Sequence, residues 1–109
     1  MSVLSGENRY QLLKLLEENP EMSQRQIAAA LGVSLGKVNF CLRALIEIGS
    51  VKVANFSRSS NKKAYVYLLT PKGIEEKARV TLRFLAKKQN EYEVLKREIN
   101  ELKNEAKSL

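Results

Sequence analysis

The chain has 109 residues, 44% of them hydrophobic and 28% charged, with a formal net charge of +7; that size suits one compact domain with an appendage. It contains no His, Asp or Trp and a single cysteine, Cys41. Histidine-ligated zinc sites, Ser-His-Asp and Cys-His nucleophile systems and Asp-based magnesium centres are therefore excluded, and no Gly-rich phosphate loop accompanies the remaining Glu, Lys and Tyr. The expectation is a protein that is not an enzyme and that uses no cofactor and no metal.

No stretch approaches the ~20 apolar residues that cross a bilayer, and Met1 to Glu7 lacks the basic and apolar regions of a secretion signal. The expected location is cytoplasmic with no membrane contact, and a lone cysteine fits a reducing compartment. A basic chain calls for a polyanionic partner, and the charge is concentrated. Between Met22 and Ile74 the only acid is Glu47, against eight bases: Arg25, Lys37, Arg43, Lys52, Arg58, Lys62, Lys63 and Lys72. Outside that stretch the signs mix, as on ordinary solvated surface.

In chain order, Tyr10, Leu13 and Leu16 recur at helical spacing over Glu7 to Glu18, with Leu12 and Leu15 widening the stripe, Ser5 as N-cap and Pro20 as terminator. A short second helix follows Ser23, which has capping-box spacing to Gln26, and Gly32 sits where a left-handed residue would reverse the chain. Ser34 then caps a third helix with Val38, Leu42 and Leu45 on its buried stripe, ending at Gly49. Two capped helices joined by so short a turn form a helix-turn-helix. Val51 and Val53, and then Tyr65 to Leu69, read as the strands of a hairpin separated by the polar stretch Ser57 to Lys63. Thr70 and Pro71 open a last helix with no Gly or Pro after Gly73. The fold class expected is mainly α with a small β-hairpin wing: a winged helix-turn-helix over residues 1–70 and a long coiled-coil-like helix over 71–109.

The buried stripes are explained by folding alone. The opposite face of the third helix is the informative one, since Ser34, Gly36, Lys37, Asn39, Phe40 and Arg43 point away from the core and none is acidic. A recognition helix in the major groove reads base edges and touches phosphates with its cations. Lys37, Asn39 and Phe40 are assigned to base or groove contact, because asparagine bonds adenine bidentately and an apolar ring lies against a thymine methyl. Arg43 and Ser34 are assigned to phosphates, Ser23, Arg25 and Gly36 complete the expected DNA-facing set, and Arg58, Lys62 and Lys63 at the hairpin tip are expected on flanking phosphates or the minor groove. The alternatives are a protein-interaction domain with a solvated polar face and a merely solubilising loop. Cys41 reads more simply as a small packed hydrophobe than as a redox sensor, and Tyr65, Tyr67 and Tyr92 as packing rather than chemistry.

In the last helix, Ile74, Thr81, Lys88, Leu95, Leu102 and Leu109 take heptad d, and Ala78, Leu85, Tyr92, Ile99 and Ala106 take a. The register is good after Tyr92. Before it, Thr81 and Lys88 interrupt d and Leu82 and Phe84 lie off the seam, so the first half is expected to pack on its own domain. Leu85, Tyr92, Leu95, Ile99 and Leu102 are the expected dimerisation residues. Glu91 and Glu98 would face Lys96 and Lys103 in a parallel pair, whereas antiparallel pairing sets like charges together; the orientation stays open at this level.

Three stretches resemble the multiple-antibiotic-resistance-regulator (MarR) family of winged-helix repressors: Ser23 to Ser34, Val38 to Gly49, and the strand-to-helix junction Leu68-Leu69-Thr70-Pro71-Lys72-Gly73. With the wing they cover residues 7–74. The short length and single tail helix are similar to the small branch of that family associated with exopolysaccharide (EPS) gene clusters. The resemblance implies a transcriptional regulator, most simply a repressor, that binds double-stranded DNA as a homodimer. Members usually carry an extra N-terminal helix and two C-terminal helices that enclose a ligand pocket. This chain departs from that pattern, so a small-molecule effector is not expected, and its wing lacks the family's common Asp-x-Arg. A coiled-coil adaptor using a winged helix for protein contact, and a binder of structured RNA or anionic membrane, remain as readings from other classes.

Overall fold

The computed structural model describes residues 6–59 and 62–109; Ser5, the expected first N-cap, and the side chains of residues 55–64 lie outside the described residues. Four helices and a hairpin follow in the order α1 (Gly6–Glu18), α2 (Gln24–Leu31), α3 (Leu35–Glu47), β1 (Val51–Ser59), β2 (Lys62–Leu69) and α4 (Pro71–Lys107). This is a winged helix-turn-helix with a long C-terminal helix. No single helix is long and apolar enough to cross a membrane among these residues.

Each boundary has a local cause. Ser23 and Gln26 form the capping box in full: the Gln26 amide donates to Ser23 Oγ at 3.1 Å and the Ser23 amide to Gln26 Oε1 at 2.9 Å. Gly32 ends α2 at φ 68°, a left-handed conformation that costs glycine little, and the next amide, Val33, returns to the Ala28 carbonyl at 3.1 Å. Gly49 repeats the device after α3 at φ 80°, with the Ser50 amide bonded to the Leu45 carbonyl at 2.9 Å. Between α2 and α3 the chain bends by 111°, within the range for a helix-turn-helix.

The core sits where the three short helices meet the root of the hairpin. Leu12, Leu13 and Leu16 of α1, Ile27 of α2, Val38 and Leu42 of α3 and Val51 of β1 are sealed from solvent, and Val80 of α4 closes the cluster. Each such side chain contributes about 1.5 to 3 kcal/mol of transfer free energy. Cys41 lies in this cluster too. The strands are longer than the hydrophobic pattern suggests: they pair from Val51 with Leu69 out to Ser59 with Lys62, with a register shift between Ser57 and Ser59. Backbone pairing needs no apolar alternation to carry a ribbon beyond the core. For the same reason Tyr67 is buried while Tyr65, two residues further out, is 60% exposed and does not pack as expected.

The first half of α4 belongs to the body of the domain. Gly73 and Val80 are buried, Phe84 stacks on Tyr10 of α1 with ring centroids 5.2 Å apart, and Glu76 and Lys77 pair with Arg9 (2.6 Å) and Glu17 (2.9 Å). Beyond Phe84 every residue is exposed, and the helix stretches the molecule to 72 Å in its longest dimension.

Candidate nucleic-acid interface

The face of α3 opposite the core carries Gly36, Lys37, Phe40, Arg43 and Ala44, all exposed, with Phe40 57% exposed at its centre. A single exposed ring is ordinary on a protein surface, so it is the place of Phe40 beside Lys37 and Arg43 that makes this face the candidate interface. Together with Asn39 and Glu47, the residues Gly36, Phe40, Arg43 and Ala44 line a shallow open depression along the helix. The cations flank the apolar centre, and the first turn of α3 offers amides to an anion at the positive end of the helix dipole.

Ser34 and Ser23 hold their helices before they can serve a ligand. Ser34 Oγ accepts from the Lys37 amide at 3.1 Å, as Ser23 Oγ does from Gln26. Each hydroxyl keeps its hydrogen to donate outward, and both residues are exposed, as is Arg25 on the first turn of α2.

Asn39 is half-buried, and its amide is already engaged. Asn39 Nδ2 donates to Gln24 Oε1 at 3.2 Å, and Gln24 Nε2 donates in turn to the Tyr67 hydroxyl at 2.9 Å. This chain ties α3 to α2 and both to β2. A bidentate grip on adenine needs one Nδ2 hydrogen and Oδ1; the bond to Gln24 uses one of the two Nδ2 hydrogens and orients the amide, leaving the other hydrogen for a base. The sequence reading missed Gln24 and the Tyr67 hydroxyl. Their signal was weak: a glutamine directly after an N-cap and a tyrosine on a strand are each ordinary.

Lys72, one of the eight bases of the middle stretch, donates through Nζ to the Ile48 carbonyl at 2.6 Å, against the negative end of the α3 dipole. It is one part of a joint. The Thr70 hydroxyl caps α4 by accepting from the Gly73 amide at 3.1 Å while donating to the Gly49 carbonyl, and the Thr70 amide bonds the Ser50 carbonyl at 3.1 Å. Gly73 fits because it has no side chain; a Cβ there would stand 2.0 Å from the Ser50 carbonyl oxygen. The Thr-Pro-Lys-Gly junction thus fastens the start of α4 to the end of α3.

Among the remaining predicted contacts, Arg58 lies on β1 and Lys62 and Lys63 begin β2, where a loop was expected. Their side chains fall outside the described residues. Leu85, Tyr92, Leu95, Ile99 and Leu102 are all exposed along α4, apart from the α3 face.

A helix-turn-helix with its wing, carrying an exposed cationic face on α3, defines a winged-helix fold. Residues 7–52 match the family model described as winged helix-turn-helix DNA-binding. Among solved structures, the fold is similar to a transcriptional regulator homologue from Pyrococcus horikoshii OT3, with a TM-score of 0.57 and 22% identity over 75% of this chain and 80% of that one. It is similar also to Streptococcus pneumoniae FabT in complex with DNA, at TM-score 0.58 and 20% identity over 82% of this chain and 59% of that one. Staphylococcus aureus MarR, in complex with salicylate and kanamycin, matches at TM-score 0.54 and 23% identity over 75% of this chain and 53% of that one. This chain therefore spans less than two thirds of the latter two. No curated protein matches it in sequence.

Proposed function

We propose that this protein is a sequence-specific double-stranded DNA-binding transcriptional regulator of the MarR type. It acts as a homodimer whose two α3 helices enter successive major grooves of a pseudo-palindromic site about 34 Å apart. The observation that carries the reading is the α3 face, where exposed Phe40 lies between exposed Lys37 and Arg43. Phe40 is suited to a thymine methyl, Arg43 to a phosphate or to guanine O6 and N7, and Lys37 to groove or phosphate contact. Arg25, Ser23 and Ser34 supply backbone contacts from the helix starts, and Arg58, Lys62 and Lys63 contact flanking phosphates from the wing. Likeness to DNA-bound FabT in fold supports the same docking.

Occlusion of a promoter by the bound dimer is the mode of action proposed, as the resemblance to a family of repressors implies. Its single tail helix is similar to the EPS-associated branch, and membership of that branch is part of the proposal. No small-molecule effector is part of the proposal. The test is a gel-shift titration against genomic and random duplexes at several salt concentrations. A selected palindromic duplex is expected to bind with at least ~1,000-fold preference and a steep salt slope; equal affinity for all sequences overturns the reading.

The adaptor reading draws on exposed apolar Phe40, Leu35 and Ile48 on or beside the same helix. It predicts that Lys37→Ala and Arg43→Ala leave partner binding intact.

A further inference from the structure

The tail helix leaves a long apolar seam uncovered. Ile74, Leu85, Tyr92, Leu95, Ile99 and Leu102 are all exposed, and all fall at heptad a or d of one register. The seam begins within the part of α4 that packs on its own domain. Ile74 follows buried Gly73, and Leu85 follows Phe84, which stacks on Tyr10. One residue turns the helix by roughly 100°, so the seam runs beside the domain-facing side and borders it at half-buried Thr81. A second helix can lie along it from its first turn.

Lys88 is the one charge at a core position of this register, and the structure draws it aside. Its ammonium lies 5.3 Å from the centre of the Phe84 ring and 3.2 Å from Glu91 Oε2. Both partners occupy heptad g, so the charge rests on the flank while the aliphatic stem can cover the seam. The flanks are themselves ordered by sign. Glu91 and Glu98 are at g, Lys96 and Lys103 at e. Parallel chains bring g of one heptad against e of the partner's next heptad, joining Glu to Lys twice on each side; antiparallel chains set g against g and e against e. The layer of Ile99 at a and Leu102 at d is the combination that favours two parallel strands.

We infer that α4 pairs with α4 of a second copy of this chain in a parallel, in-register, two-stranded coil that starts at Ile74. The inference rests on the homodimer proposed above and adds its geometry. The coil axis becomes the two-fold axis, and both winged domains lie at one end. Because Thr70, Lys72 and Gly73 fasten α4 to the last turn of α3 and the residues after it, the register of the coil sets the separation of the two recognition helices. A frame shift in the tail would move the domains relative to each other without touching a DNA contact.

The test uses the full-length chain in two single variants, Leu95→Cys and Leu102→Cys, each oxidised mildly, with the parent chain as blank for buried Cys41. Disulfides form between residues whose Cα atoms are about 6 Å apart, which in-register parallel strands provide at every d position. Antiparallel strands bring at most one position against itself. Near-complete conversion of both variants to a linked dimer, with the 95–95 and 102–102 bridges identified by mass spectrometry, is the expected result. Ultracentrifugation separates the failures. A dimer in which one or neither variant links overturns the parallel coil and leaves the DNA-binding homodimer standing; a monomer overturns the coil and the homodimer together, and the gel shift then judges DNA binding alone.

Discussion

Two surfaces of this molecule hold large apolar side chains in water, and they differ in what surrounds them. Phe40 on α3 is 57% exposed and Leu95 on α4 is 54% exposed, so exposure cannot tell their partners apart. Around Phe40 stand Lys37 and Arg43, with Glu47 as the sole acid between Met22 and Ile74; around Leu95 the signs alternate through Glu91, Lys96 and Glu98. A border in which cations outnumber a single acid suits a polyanion, whereas an alternating border can be satisfied by a copy of itself. The charge pattern at the rim is what leads us to propose different partners for the two apolar faces, and the junction at Thr70 to Gly73 links the helices that carry them.

The comparison breaks most severely at that junction. Gly73→Ala places a methyl group against the Ser50 carbonyl and is expected to cost about 3 kcal/mol of stability, read as a lowered midpoint in urea unfolding. An unchanged midpoint would mean that the two helices are not held together there. Next in size, Arg43→Ala is expected to lose about 1 to 3 kcal/mol of affinity for the selected duplex with the fold intact, measured by titration at constant salt. The matching change on the other surface, Leu95→Asp with Leu102→Asp, should leave circular dichroism of the domain unchanged while abolishing the dimer in ultracentrifugation. Should that pair instead weaken DNA binding with the dimer preserved, the division of labour between the faces fails.

Asn39→Ala separates a packing role from a reading role. Removing its bond to Gln24 is expected to cost about 1 kcal/mol of stability; a loss of affinity confined to duplexes with one particular adenine would show that the amide also reads a base. The smallest effect belongs to Lys72→Met, about 0.3 to 1 kcal/mol of stability from the lost contact with the α3 terminus. Lys72 lies at the joint and not on the reading face, so the slope of affinity against salt is expected to stay unchanged. Lys37→Ala, by contrast, should reduce that slope by about one.

Local chemistry made much of this architecture readable from the residues alone. Ser23 with Gln26, Gly32, Ser34, Gly49 and Thr70 act through groups a few positions away, and the apolar periodicities identify the core faces of α1, α2 and α3. The tail helix is legible because nothing interrupts it after Gly73. Contacts between distant segments carry no such mark. That Asn39 is held through Gln24 to Tyr67, that Lys72 turns back to the Ile48 carbonyl, that Lys88 leaves the seam for Phe84, and that Tyr65 lies beyond the core depend on which elements meet and at what angle. Those are outcomes of packing. A sequence specifies each residue's capacity to bond or to hide from water, and the tertiary arrangement then decides which of several equally capable partners is within reach.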